Sequence, residues 1–141
     1  MRAGVIATVV AAVALAGCGR PPTLSVDRAW IRLAAVPDRP AAAYFVIHGG
    51  PRPATLIGVR TDVAIQTELH ESMANGMRPI DRLTIPAATD VPFAPGGRHA
   101  MLFDMNPGVK PGRLVDLSFT FADGTRIVRK ATVVAAGASP P

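Results

Sequence analysis

Proline and glycine set the terms on which this chain can fold. Its 14 prolines and 13 glycines are spread along all 141 residues rather than gathered in linkers. Proline removes a backbone donor and glycine weakens regular structure, so short strands joined by turns fit between them better than helices of ten residues or more. The apolar pattern agrees. Residues 24–33 partly alternate, and 43–48 form an aromatic and β-branched run closed by Gly49-Gly50-Pro51. Residues 54–59 and 64–70 follow, with turn residues between them. Residues 114–121 alternate, and Asp123-Gly124, a strong hairpin signal, leads into 126–134. Seven to nine short strands are expected in one domain, packed as an all-β sandwich. Aromatic residues are only 5% of the chain, so Val, Ile, Leu, Ala and Phe must build its core.

The first residues stand apart from this pattern. Met1-Arg2 gives a positive start, and residues 5–16 are an almost unbroken apolar run. A membrane-spanning helix needs about 20 apolar residues, whereas this length suits the core of a secretory signal peptide. The run ends in Leu15-Ala16-Gly17-Cys18, which looks like the lipobox of bacterial lipoproteins, where the cysteine is acylated and becomes the first mature residue. The expected organisation is a leader over residues 1–17, a lipidated tether over 18–23, a β-domain over 24–134 and a flexible tail over 135–141. The protein is then exported and lipid-anchored to the extracytoplasmic face of a bacterial membrane. Cys18 is the only cysteine, so no disulfide forms within the chain and no thiolate serves the domain. Loss of Arg2 lowers the formal charge of +5 to +4, and the remaining basic residues are scattered. No basic run interleaved with aromatics suggests nucleic acid as a partner.

The soft side chains are unevenly placed. Four of the five methionines and two of the three histidines fall between residues 70 and 105: His70, Met73, Met77, His99, Met101 and Met105. Asn75-Gly76 is a common two-residue hairpin turn, and it would set Ala74 opposite Met77. A longer loop over residues 73–76 would set Ser72 there instead. Because strand side chains alternate, both registers put Met77 on the face of His70, and Met73 on the other. His99-Ala100-Met101 is likewise an i, i+2 pair, one face of a strand. Neutral thioether sulfur suits copper(I) and not hard ions. Zinc sites do not use methionine, and a blue-copper centre needs a cysteine thiolate that the domain lacks. Packing alone remains an alternative, because methionine commonly fills cores. His48 has no soft partner nearby and is assigned a solvent or turn role; Met105 is assigned to core or loop, at most an auxiliary ligand.

In these residues the chain resembles the PCu(A)C periplasmic copper chaperones, whose pattern is His, then Met, then 21 residues, then His-x-Met. Met77 and His99 enclose 21 residues here, and His99-Ala100-Met101 completes the pattern. Matching stretches include Asp27-Arg28-Ala29-Trp30-Ile31-Arg32, Ala42-Ala43-Tyr44-Phe45, Glu68-Leu69-His70-Glu71 and Pro95-Gly96-Gly97-Arg98-His99. Two departures stand out. Six residues separate His70 from Met77 where the family usually has ten, and Phe103 stands where relatives often carry another methionine.

The resemblance implies a cupredoxin-like Greek-key β-sandwich that binds copper(I) through His70, Met77, His99 and Met101. It implies a carrier rather than an enzyme, supplying the copper centre of cytochrome c oxidase, often alongside a thioredoxin-fold copper chaperone. The sequence itself offers no nucleophile paired with a base. A copper sink without a delivery partner and a purely structural β-sandwich lipoprotein are the competing readings.

Overall fold

The structure is a computed structural model that describes residues 19–141. The leader expected over residues 1–17 and the acylation expected at Cys18 lie outside the described residues. Ten strands form among the described residues, and no helix: β1 (Ser25–Arg32), β2 (Ala41–His48), β3 (Ala54–Arg60), β4 (Ala64–Met73), β5 (Gly76–Pro79), β6 (Leu83–Ile85), β7 (Asp90–Phe93), β8 (Arg98–Met105), β9 (Leu114–Phe121) and β10 (Arg126–Val134). The count exceeds the expected seven to nine. Strands as short as β6 and β7, with three and four residues, carry too few alternations to be read from a pattern.

Hydrogen bonding runs in the order β5-β4-β8-β2-β1-β10-β9-β3-β6, with β7 also paired to β2. The β1–β10 pair is parallel and the others are antiparallel. Strand β2 changes partner along its length: Ala41–Ala43 pair with β8, and Phe45–His48 pair with β7. The ribbon folds over on itself. Phe45 of β2 meets Phe119 of β9 edge-on at 4.7 Å between ring centres, although two strands separate them in the hydrogen-bonded order. Phe93 stacks on the same ring at 4.3 Å. Around these rings gather the buried aliphatic side chains of both layers, among them Ile31, Ile47, Leu56, Leu102, Leu117 and Val133. The alternation of β9 puts Val115, Leu117, Phe119 and Phe121 in the core, while Ser118 on the other face is also buried, bonded to Arg126.

One irregularity controls which residues face outward. In β1 the register slips between Asp27 and Trp30, and Arg28 adopts φ 50°. This is a β-bulge, one extra residue on one strand that flips the side-chain alternation beyond it. Val26 points inward before it and Ile31 after it, so Trp30 and Arg32 turn to the opposite face, where Trp30 is buried against Tyr44 and Arg32 rather than in the central cluster.

His48 differs from its expected solvent or turn role. At the end of β2 its Nδ1 lies 2.6 Å from an oxygen of Asp90 on β7, and its Nε2 lies 2.9 Å from an oxygen of Asp27 on β1. Three strands are joined through one imidazole. The two carboxylates, that of Asp27 foremost, raise its pKa above the ordinary value.

Candidate metal centre

The register of β4 against its two neighbours builds the site. Against β8, His70 pairs with His99 and Glu68 with Met101. Against β5, Ser72 pairs with Met77 and Met73 with Gly76. Residues directly opposite in an antiparallel pair project from the same side, and i, i+2 residues along a strand do too. Glu68, His70, Ser72, Met77, His99 and Met101 therefore share one face of three adjacent strands. Met73 is on the other face.

The hairpin that carries Met77 differs in detail from either expected loop. Its two turn residues are Ala74 and Asn75, and Gly76 is the first residue of β5, at φ 134°. A residue with a side chain rarely adopts that angle. The Ala74–Met77 pairing does not occur; Ser72 is the partner. Both registers shift by whole two-residue steps, so Met77 keeps its face. Behind the hairpin, Glu71 contacts Arg78 of β5 and Arg98 of β8, tying the three strands together on the reverse side.

The six side chains differ in exposure. His99 is buried at 7% of its free surface, and the His70 side chain at 14% is nearly so. Met101 is half-buried, and Met77 is 55% exposed. The two imidazoles are perpendicular, with ring centres 6.0 Å apart. An imidazole nitrogen sits about 2.0 Å from a first-row ion and roughly 1.1 Å from its own ring centre, so two rings sharing one ion lie about 5 Å apart at a tetrahedral angle and about 6 Å apart in line. The observed separation lies at the upper end of that range. His70 Nδ1 is a buried nitrogen with no hydrogen-bond partner, the kind of orphan that calls for an explanation such as an ion. Among the described residues no three His, Cys, Asp or Glu side chains come together as a ligand group. An ion held here would have to draw on thioether sulfur.

Beside the histidines the same face continues across β2 and β1. Tyr44, one position beyond the Ala43–Ala100 pair, is level with His99, and Trp30 pairs with Tyr44. Their rings lie 4.5 Å apart, and the Arg32 guanidinium covers both while donating to the Tyr44 hydroxyl at 2.9 Å. Sequence reasoning did not place Glu68, Trp30 or Tyr44 beside the histidines. Glu68 was within reach of the rule that joined His99 to Met101, because it precedes His70 by two. Trp30 was hidden by the bulge.

Residues 24–133 match the family described as "Putative lipoprotein LpqE-like". The chain belongs to the LpqE-like family. "Putative lipoprotein Lxx21020" of Leifsonia xyli subsp. xyli (strain CTCB07) is 29% identical over 107 residues, 72% of this chain. The chain spans 64% of that relative's length. The LpqE-like domain also resembles solved structures. The copper-bound PCuAC domain from PmoF2 superposes with a TM-score of 0.68 at 22% identity, covering 80% of this chain and 96% of that domain. The solution structure of CuI-DR1885 from Deinococcus radiodurans gives 0.67 at 27% identity, covering 84% and 82%. The fold is the all-β, cupredoxin-like fold expected.

Proposed function

We propose that this chain is an extracytoplasmic copper(I) carrier, anchored by lipid at Cys18, that holds the ion among His70, Met77, His99 and Met101. The observation that carries the reading is the meeting of two histidines and two methionines on one strand face, with a buried His70 nitrogen left unpartnered. Two imidazoles and two thioethers are neutral, soft to borderline donors, a set suited to copper(I). The likeness to CuI-DR1885 supports the same ion. Exposed Met77 suits a carrier, because an outer thioether can let go while a partner's ligand arrives. The acceptor we propose is the copper centre of cytochrome c oxidase, with a thioredoxin-fold copper chaperone as a second partner; no catalysis is involved.

The test is a competition titration of the protein with a copper(I) chelator. His70→Ala, Met77→Ala, His99→Ala and Met101→Ala should each weaken binding markedly, while Met73→Ala and Met105→Ala leave it near wild type. Equal losses from Met73→Ala and Met77→Ala would refute the face assignment. Transfer of bound copper to an apo copper-centre domain then separates a carrier from a sink, which would bind as well but not deliver.

A further inference from the structure

The two histidines of the proposed site are held by opposite ring nitrogens. His70 Nε2 lies 3.0 Å from Glu68 Oε2. An ionised carboxylate only accepts hydrogen bonds, so the ring proton of His70 sits on Nε2, and the buried, unpartnered Nδ1 carries the lone pair. His99 is the reverse. Its Nδ1 lies 3.1 Å from the Gly97 carbonyl oxygen, which also only accepts. Nδ1 of His99 therefore carries the proton, and Nε2 is the free donor to a metal. Glu68 is itself fixed, because Gln66 Nε2 donates to Oε1 at 2.5 Å. Gln66, Glu68 and His70 are alternate residues of β4, so the whole chain of hydrogen bonds runs along the site face, with Glu68 paired to Met101 across the ladder.

We propose that Glu68 is the positioning residue of this site. It fixes the Nε2–H form of His70, so that His70 takes copper(I) through Nδ1 while His99 takes it through Nε2. The proposal rests on the copper reading given above and adds the atoms that bind. A hydrogen bond from the second ring nitrogen to a carboxylate orients a metal-binding imidazole and increases its basicity. The carboxylate has a further effect here. Two imidazoles and two thioethers leave the charge of copper(I) uncompensated, and Glu68 sets one negative charge against the ring that binds it.

Long-range proton–nitrogen correlation NMR on the full chain labelled with nitrogen-15 tests this, before and after addition of copper(I), which is diamagnetic. Before addition, His70 should carry its proton on Nε2 and His99 on Nδ1. On addition, the large nitrogen shifts should fall on His70 Nδ1 and His99 Nε2. Glu68→Leu should remain folded, populate both tautomers of His70, and lose roughly ten- to a hundredfold in copper(I) affinity. Glu68→Gln keeps an acceptor oxygen but no charge, and should keep the wild-type tautomer while losing part of the affinity. Copper(I) found on His70 Nε2, or a Glu68→Leu protein with unchanged tautomer and affinity, overturns the proposal. A wild-type chain that binds no copper(I) overturns the carrier reading and this proposal with it, a failure distinct from binding through the wrong nitrogen.

Discussion

His48 is the histidine whose surroundings bear on stability rather than cargo. Asp27 and, second to it, Asp90 favour its charged form and hold its pKa above the ordinary 6.5. The folded state thus binds the proton more tightly than the unfolded chain does. By linkage, the stabilisation from this clamp is fully present below the ordinary histidine range and is lost as pH rises through the raised folded value. The stability difference between wild type and His48→Gln, measured by urea denaturation, should be larger at about pH 5 than at about pH 9. An equal difference at both would show that the clamp does not titrate as argued. Copper(I) affinity of the same variant should be unchanged, because His48 lies four residues along β2 from Tyr44, about 13 Å at strand spacing.

At the scale of elements, the β4–β5 hairpin decides whether Met77 belongs to the site. One residue inserted between Gly76 and Met77 would keep the Met73–Gly76 closure and slide Met77 opposite Glu71, onto the reverse face. Two inserted residues would set it opposite His70, on the original face. Copper(I) affinity should therefore fall with one insertion and largely return with two; equal losses from both would mean that face does not matter. This parity is why the shared face of the candidate ligands was legible in the sequence. His99-Ala100-Met101 needs only alternation, and the hairpin preserves the face of Met77 whether its partner is Ala74 or Ser72. What the sequence could not show came from longer range. The change of partner along β2 and the joining of β1 to β10 are tertiary pairings with no local signal. The extra residue at Arg28 reverses the outward face of β1, so simple alternation from Val26 would have pointed Trp30 at the Phe45 cluster instead of at Tyr44. His48 looked idle because Asp27 and Asp90 are remote in sequence and meet it only when β1, β2 and β7 come together.

For the whole molecule, an ion bound across β4, β5 and β8 favours the folded state alone, since the unfolded chain does not hold these four side chains together. Free copper(I) at about a hundred times its dissociation constant should add about 2.7 kcal/mol of stability, read as a rise in Tm that grows with metal and is absent in His99→Ala. The anchor makes a separate prediction. Cys18→Ser should fold and bind copper(I) but leave the membrane fraction, because acylation supplies about 0.8 kcal/mol for each buried CH₂; unchanged detergent partitioning would rule out lipidation there. The direction of β1 sets the candidate site apart from the proposed anchor. The chain enters β1 at Ser25, on the His48 end, while the row containing His99, Tyr44 and Trp30 crosses β1 five residues later. One of those five is the bulge residue, so the rise is that of four residues, roughly 13 Å at about 3.3 Å each. If Cys18 is acylated as proposed, the candidate site would stand at the end of β1 remote from the membrane attachment, a placement that favours a partner standing clear of the bilayer over one lying flush with it.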